Sequence, residues 1–573
     1  MKFIGVPFGW IFMAHILAAL SVLPVQIYAL TPAMGPSQLN FASSHMMVRD
    51  DGRIRITFSG LTGEDAAYAS SVAGKCLLNA ERIFGISYKG RLDIFLSGRD
   101  NPNRWPPLSR YRQGLVFPMD YGPFPERYIS CPDIEISCLV FKKFLEQLIS
   151  SSRPMWNSSI SLALVPMWIM EGFSVQLAAD DSWNHWRRDL EIRKCAAQFS
   201  LLQASELALS GRYSGWSHVQ AAPQAAALSE AFLSRFGIPG LRKFFGELAR
   251  TPFSAARAFR KAFNEDLADF INGWRLRVSN DQPLKEQEVT GQYRQLVPDW
   301  NSDMFCPRIG NGGEVFFTTP GRQTPWVYRL MIHVKGRTKV ICESVGRNFD
   351  IAVGNETTRL FFTRASEDRD GNQREDLWMM DVATGRSRAL TRRDNVFLPS
   401  ASGDGKVVVA VRRKPFRSEL VMFRLSGETM SRNGAIQNGE EASLHETARG
   451  SYISGLDLDK SGKRLVYTVN NGVEEGLWRM NFSEGKAPSR VNSDSLAETM
   501  PRWIGHGIGY FVIIDGKPVA KKMISTSRGR EVRPLDTAPF PELERHCSKN
   551  GEIATLLTSR GYRIYSIDSG EKP

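Results

Sequence analysis

The second half of the chain repeats a short β-rich pattern, and this repeat constrains the fold more than any other feature. Runs of β-favouring residues alternate with Gly, Asn and Asp from about residue 300 onward, and helical spacing is absent there. Similar strands recur around Val327, Trp378, Val421, Trp478, Val519 and Ile564. These positions are 51, 43, 57, 41 and 45 residues apart. Four-stranded blades of a β-propeller recur at about this length.

A polar turn and an apolar strand precede these repeated strands. Examples are the turn Ser402-Gly403-Asp404-Gly405 and the strand Arg464-Leu465-Val466-Tyr467. The run LDKSGKRLVYTVNNGVEEGLWRMNFSEG, residues 458–485, resembles a blade of the TolB-like propellers. The resemblance covers about 300 to 573 and implies six blades, so residues 298–573 are assigned to a propeller. A β-sandwich with the same spacing is the alternative.

The first half has a different periodicity. A strand at 53–58, a helix at 64–84 and a strand at 91–96 are predicted first. Helical spacing then dominates, at 138–150, 166–179, 183–206, 224–236, 239–249, 253–262 and 266–278. Residues 46–280 are therefore predicted to form an α+β domain, followed by a linker at 281–297. The predicted fold class is multidomain, an α+β domain followed by an all-β six-bladed propeller.

The order of these segments resembles the gluzincin metallopeptidases of the peptidase MA-like group. In that family a helix bearing HExxH supplies two zinc-binding histidines and a catalytic glutamate, and a following helix supplies a carboxylate ligand. The run Pro166-Met167-Trp168-Ile169-Met170-Glu171-Gly172 matches the second helix. Aligning Glu146 with the catalytic glutamate places Leu145 and Ile149 where the histidines belong. Aliphatic side chains cannot ligate zinc, so the resemblance implies a degenerate site without metal or other cofactor.

Glu146 and Glu171 have different structural expectations. Lys142 and Lys143 lie four and three residues before Glu146, so a solvent-facing ion pair explains this glutamate without catalysis. Glu171 lies among apolar neighbours, including Trp168, and a carboxylate there is costly unless it is paired or protonated. We expect Glu171 to be a former ligand that is now held by a hydrogen bond or a cationic side chain.

Tryptophan and arginine residues are concentrated in the middle of the first domain. Such a mixture can line a groove for a glycan or a peptide. The candidate groove residues are Trp168, Trp183, Trp186, Arg187 and Trp216. The alternative is that the tryptophans are core residues and the arginines lie on an exposed helix face.

The N-terminus has the pattern of a secretory signal peptide. Lys2 precedes an apolar run from Phe3 to Leu23, and Ala29, a small residue with the aliphatic Ile27 two positions before it, suits cleavage after residue 29. Residues 1–29 are therefore predicted to be a signal peptide, and an uncleaved membrane anchor is the alternative. Export is expected, and the resemblance to periplasmic proteins points to a bacterial periplasm.

Together these features predict an exported, non-catalytic binding or scaffolding protein of the cell envelope that engages a protein or peptide. The alternative is a zinc-dependent peptidase in which His185 or His218 joins Glu171. The 73 Lys and Arg against 60 Asp and Glu permit weak association with an anionic surface. This excess is too dilute to indicate nucleic-acid binding, and no nucleotide-binding glycine motif occurs.

Overall fold

The structure is a computed structural model. It describes residues 47–59, 61–97 and 114–118, short stretches within 136–207, residues 216–280 apart from 252–253, and residues 293–567 apart from several turns and the longer segments 322–326, 368–372, 426–438, 492–497 and 535–541. The predicted signal peptide and most of the linker lie outside these ranges. No helix of the described part is long and apolar enough to cross a membrane.

The chain begins with a four-stranded sheet covered by one helix. The strands are β1 (Met47–Asp50), β2 (Ile54–Ser59), β3 (Leu92–Ser97) and β4 (Gly114–Pro118), in that spatial order. β2 and β3 are parallel, and helix α1 (Gly63–Phe84) makes the crossover between them. Thr62 and Asp65 form a reciprocal capping box that starts α1. The strand, helix and strand predicted here are confirmed.

The remaining helices build the rest of this α+β domain. Those with described bounds are a π-helical turn (Trp168–Gly172), α2 (Ala204–Leu207), α3 (Trp216–Arg250), α4 (Ala255–Phe263) and α5 (Leu267–Asn280), and helical residues also occur within 140–148 and at 192–196. The two helices predicted at 224–236 and 239–249 are the two arms of α3, which is kinked at Gly237 with φ +62°. A continuous helix over 183–206 is wrong, because residues 200–203 are not helical between the helical residues 192–196 and α2.

A single apolar core joins the sheet and helices of this domain. Phe232 on α3 contacts Phe259 on α4 and Phe270 on α5, with ring centroids 6.2 and 6.1 Å apart. Phe84 at the end of α1 contacts Phe245 on α3 at 5.6 Å. Aromatic pairs of this kind add to the burial energy and hold the helix ends together.

The second half of the described chain forms six four-stranded blades. Blade 1 contains β6 (Phe305–Ile309), β7 (Val315–Pro320), β8 (Tyr328–Val334) and the first part of β9 (Arg337–Val353). Blade 2 contains the second part of β9, β10 (Thr358–Glu367), β11 (Gln373–Asp381) and β12 (Ser387–Ala389). Blade 3 contains β13 (Val396–Ala401), β14 (Val407–Lys414), β15 (Arg417–Leu425) and β16 (Gly439–Glu446).

Blade 4 contains β17 (Tyr452–Leu458), β18 (Arg464–Asn470), β19 (Glu475–Asn481) and β20 (Ser489–Arg490). Blade 5 contains β21 (Glu498–Ile504), β22 (Gly507–Ile514), β23 (Lys517–Thr526) and β24 (Gly529–Pro534). Blade 6 contains β25 (Glu542–Ser548), β26 (Gly551–Thr558) and β27 (Gly561–Ile567), and its fourth strand is β5 (Tyr293–Gln295).

The blades close into a ring. The first strands β6, β9, β13, β17, β21 and β25 contact one another in that order, and β25 contacts β6 again. Blade 6 takes its outer strand from the other end of the domain, because β5 pairs with β27 through Ser566 and Arg294. This cyclic arrangement is a six-bladed β-propeller, and closure hides the edges that an open sheet would expose.

The sequence repeat corresponds to one strand of each blade. Trp378, Val421, Trp478, Val519 and Ile564 lie in β11, β15, β19, β23 and β27, and Val327 immediately precedes β8. All of these are the third strands of their blades. The turn at Ser402–Gly405 connects the first and second strands of blade 3, and Gly405 has a φ of +66° that a glycine adopts without strain. The predicted propeller is confirmed.

Candidate functional site

The position where the gluzincin resemblance requires a histidine lies in an apolar core. Leu145 is 0% exposed. It belongs to the same buried cluster as Phe141, Phe144 and Trp168. Zinc requires nitrogen, sulfur or oxygen ligands and a polar second shell. The surroundings of Leu145 therefore do not fit a zinc ion.

Trp168 is not a groove residue. It is 0% exposed, and its ring stacks on Phe244 of α3 with centroids 6.5 Å apart. It also contacts Phe173 at 5.7 Å. Gly172, in the same turn, is packed so closely that an added Cβ would lie 2.3 Å from the Ala225 carbonyl oxygen of α3. This turn is part of the helical core, so the groove prediction is wrong for Trp168.

The structure does not describe the side chains of the other predicted site residues of this domain. Glu146, Ile149, Trp183, Trp186, Arg187 and His185 lie outside the described residues. Glu171 belongs to the π-helical turn, and Trp216 and His218 lie in the first turn of α3, but the described part does not include these three side chains. Within the described residues, no group of three His, Cys, Asp or Glu side chains is arranged to hold a metal ion.

The propeller is docked on the α+β domain through blade 3. Phe416, between β14 and β15, is fully buried and belongs to the apolar core of the α+β domain. Its ring contacts Tyr68 of α1 at 5.2 Å. Arg449, between β16 and β17, bonds Asp65 and Glu64 at the start of α1, each at 2.8 Å.

A second contact involves blade 6. Lys194, in the helical residues 192–196, pairs with Asp303 at 2.5 Å, and both side chains are largely buried. The Lys194 ammonium also lies 5.4 Å from the centre of the Tyr562 ring. Tyr562 donates its backbone N–H to Asp303. The Lys194 side chain therefore contacts residues from the beginning and from the end of the propeller sequence.

These contacts come from one face of the propeller, which we call the docking face. It carries the hairpins between second and third strands and the connections from each blade to the next. Blades 3 and 6 are opposite one another in a ring of six, so the α+β domain spans this face. The opposite face, which we call the turn face, carries the hairpins between first and second strands, including Ser402–Gly405.

Six residues in equivalent positions of the first strands form a polar cluster that we call the channel ring. Each blade contributes one of them. They are Arg308, Asp350, Ser400, Asp457, Arg502 and His546 of blades 1 to 6. First strands surround the central channel of a propeller. The centre of this propeller is therefore charged.

Hydrogen bonds connect the ring across blade boundaries. Arg308 Nε donates to Asp350 Oδ1 at 2.9 Å, and Ser400 Oγ donates to Asp350 Oδ2 at 3.0 Å. Ser400 Oγ in turn accepts from the backbone N–H of Leu458, next to Asp457, at 3.0 Å. Arg502 Nη1 donates to Asp457 Oδ1 at 3.1 Å. These bonds hold blades 1 to 5 in register around the axis.

Burial and charge move the pKa values of the ring members in different directions. Burial would raise the pKa of Asp350, but Arg308, the backbone N–H of Ala401 and Arg502 lower it below its ordinary value. Burial raises the pKa of Asp457, and Arg502 only partly opposes this effect. Burial, followed by Arg308, lowers the pKa of His546 well below its ordinary value, so this imidazole is neutral in the free protein.

The channel ring was not recognised from the sequence, although a signal for it exists. Ser400 and Asp457 each lie five residues before the turn glycines Gly405 and Gly462. Arg308 has the same spacing to Gly313, so three of the six ring residues align on their turn glycines. This spacing was missed because the three residues differ in type and form no motif.

No known family model and no curated protein matches this chain. Solved structures similar to it include TolB from Acinetobacter baumannii, with 13% identity, a TM-score of 0.30, and coverage of 55% of this chain and 71% of that chain. The propeller domain of the Trilobed protease from Pyrococcus furiosus has 10% identity and a TM-score of 0.33, covering 47% and 96%. A putative TolB from Agrobacterium tumefaciens has 9% identity and a TM-score of 0.32, covering 46% and 90%.

A structure from a study of two prolyl endopeptidases is also similar, with 13% identity, a TM-score of 0.32 and coverage of 47% of this chain. The match spans only 42% of that endopeptidase. The neighbours are thus TolB-like and other propeller domains, and such distant similarity says nothing about activity. A gluzincin domain is not shown by these comparisons.

Proposed function

We propose that this chain is an exported, non-catalytic binding protein of the cell envelope that engages a protein or peptide partner through its propeller. The observation that carries the proposal is Leu145, which fills with apolar side chain the place where the gluzincin resemblance requires a zinc-binding histidine. The α+β domain then serves to support the propeller. The predicted signal peptide directs the chain to the periplasm.

The docking arrangement supports this division of roles. Phe416 and Arg449 of blade 3 and the Asp303 region of blade 6 attach the propeller to the α+β domain. Buried apolar contact combined with charge-assisted hydrogen bonds fixes the relative position of two domains. A propeller held on one face presents its other face and its channel to a partner.

The basic side chains of the turn face suit an acidic partner. Lys406, Lys460 and Lys463 are all exposed in the hairpins of blades 3 and 4. Asp404 lies beside them, but it accepts hydrogen bonds from Ser402 and from the Lys406 backbone N–H. Exposed positive charge around a channel mouth raises the rate of encounter with an anionic group.

Site-specific crosslinking in the native host tests the proposed binding role. A photoreactive residue at Lys460 on the turn face is expected to capture a defined envelope protein, and the Lys460→Glu variant is expected to reduce recovery of that protein. Arg533→Glu, in the outer strand of blade 5 and largely exposed, is the matched charge control. Equal capture by a photoreactive residue placed at Lys460 and by one placed at Arg533 would contradict a specific turn-face partner. Loss of capture in both Lys460→Glu and Arg533→Glu would contradict it as well.

The peptidase alternative has its own test. Purified protein is incubated with a peptide library with zinc and with a chelator. No chelator-sensitive cleavage is expected. Cleavage that is lost in Glu171→Ala and retained in His445→Ala, a propeller histidine between Tyr467 and Trp478, would establish the alternative instead.

A further inference from the structure

We propose that the channel ring binds a carboxylate group of the partner through donors of Arg308, Arg502 and His546. This inference rests on the proposed function, because it names the chemistry by which the propeller would hold its partner. The three side chains come from blades 1, 5 and 6, which are consecutive in the closed ring. They therefore lie along one side of the channel.

Both arginines have donors that the ring itself does not use. Arg308 bonds Asp350 through Nε and the Pro307 carbonyl through Nη1. Arg502 bonds the Leu456 carbonyl and Asp457, both through Nη1. Among the described residues, Arg308 Nη2 and Arg502 Nε and Nη2 have no hydrogen-bond acceptor. A guanidinium with spare N–H groups beside a channel is suited to a carboxylate.

His546 is the central member of this side. Its ring makes no hydrogen bond with any other residue that the structure describes, although it lies between the first strands of blades 5 and 1. The charged groups that act on it are Arg308, Arg502 and Lys460, which oppose its protonation, and Asp350, which favours it. A bound carboxylate would add a second negative charge and would allow the imidazole to take up a proton.

The aspartates of the ring lie on the other side and are already satisfied. Asp350 accepts hydrogen bonds from Arg308, Ser400 and the Ala401 backbone. Asp457 accepts from Arg502 and from the Trp503 backbone N–H. A carboxylate that enters the channel can therefore accept hydrogen bonds from blades 5, 6 and 1 without displacing an existing ion pair.

Charge balance favours a carboxylate over phosphate. The two arginines and two aspartates of the ring have a formal net charge of zero. One proton on His546 compensates one negative charge, which is the charge of a carboxylate, whereas phosphate carries more than one at neutral pH. The Arg502 side chain is 23% exposed and the Arg308 side chain 3%, so Arg502 is the first arginine that an entering group meets.

Calorimetry on the purified full chain tests the assignment. The probes are acetyl-trialanine with a free carboxylate, the same peptide as its C-terminal amide, and inorganic phosphate. The free acid is expected to bind and the amide is not. Because binding of the acid is coupled to uptake of a proton by His546, affinity for the acid should increase as the pH falls from about 8 to about 6.

His546→Gln is expected to weaken binding of the acid about tenfold, through loss of one charge-assisted hydrogen bond, and to remove the pH dependence. His506→Gln, at an exposed histidine in the first hairpin of blade 5, is the matched control and should leave both unchanged. If His546→Gln does not fold, Arg502→Lys replaces it, since it keeps the charge and removes the fork of donors.

Equal binding of the acid and the amide, tighter binding of phosphate than of the acid, or unchanged affinity in a folded ring variant would overturn the carboxylate assignment. Partner capture at Lys460 without binding of the acid would refute only this assignment. Binding of the acid without partner capture would instead refute the proposed function and leave the channel site in place.

Discussion

The centres of the two domains are built from opposite kinds of side chain. Around Leu145 the α+β domain contains Phe84, Phe144 and Trp168 in one apolar cluster, at the place where its resemblance to a metallopeptidase requires polar ligands. The propeller, whose blades are held by apolar contacts between sheets, instead has the charged channel ring on its axis. Buried charge is costly and must be paired. The comparison is consistent with our proposal that the propeller, and not the α+β domain, binds the partner.

The largest expected effect is that of restoring a histidine to the apolar centre. Leu145→His is expected to destabilise the chain by about 5 kcal/mol, because it removes a buried aliphatic side chain and buries an imidazole without a partner. Chemical unfolding measures the change, and Leu145→Met is the volume-matched control, with a cost of about 1 kcal/mol. Undiminished stability together with bound zinc would show that the position is a latent ligand site.

Removing a charge from the channel ring is expected to have the next largest effect. Asp350→Ala leaves the Arg308 guanidinium buried without its partner, and we expect a cost of about 4 kcal/mol. Ser400→Ala removes a single neutral hydrogen bond and should cost about 1 kcal/mol. If the two substitutions cost the same in chemical unfolding, the ring is not an ion-paired unit.

The same pair gives a prediction for pH. The pKa of Asp350 is lower in the folded protein than its ordinary value of 3.8. Its contribution to stability is therefore complete above that ordinary value and is lost as the pH falls through the lower folded value. The difference in unfolding free energy between the wild type and Asp350→Asn should be constant near neutral pH and should shrink below about pH 4. A difference that grows on acidification would contradict the lowered pKa.

Phe416 tests whether the two domains are one unit. Phe416→Ala removes a fully buried ring that belongs to the propeller chain but lies in the core of the α+β domain, at an expected cost of about 3 kcal/mol. Differential scanning calorimetry should resolve one transition in the wild type and two in the variant, because the apolar joint is lost. Phe482→Ala, at the edge of blade 4, is the control that should preserve the single transition.

The smallest expected effect is that of the ion pair at the same joint. Arg449→Ala removes the bonds to Asp65 and Glu64, but Thr62 still bonds Asp65, so the expected cost is about 1 kcal/mol. Limited proteolysis between the domains should accelerate, and added salt should narrow the difference from the wild type. Arg533→Ala, whose partner Glu531 is on its own strand, is the control for loss of a surface arginine.

The sequence predicted the parts of this structure that depend on local pattern. Alternation and turn glycines located the third strand of every blade, and helical spacing located α1, α4 and α5. It left the position of Trp168 open between a groove and the core, because an aromatic residue beside arginines has the same pattern in both, and the core alternative holds. The interruption of α3 at Gly237 was located by the end of one helical pattern at 236 and the start of the next at 239. The break at 200–203 was missed because the backbone N–H of Leu202 bonds Gln224 of α3, which is distant in sequence.

The candidate site was harder to predict for a physical reason. The absence of histidines at Leu145 and Ile149 could be read directly, but the channel ring arises only when six strands far apart in the chain are brought to one axis. His546 and Arg308 are separated by almost the whole propeller in sequence and lie in neighbouring blades. No local pattern encodes such a neighbour relationship.

The pairing of β5 with β27 has a consequence for biosynthesis. The outer strand of blade 6, β5, is synthesised long before its partner strand β27. The ring of blades therefore cannot close until β27 has been made. A chain that stops before Gly561 lacks the acceptor strand and leaves Tyr293–Gln295 without a neighbour. Such a fragment exposes bare strand edges, which proteases and chaperones recognise. Only a chain that includes β27 can therefore form the closed propeller.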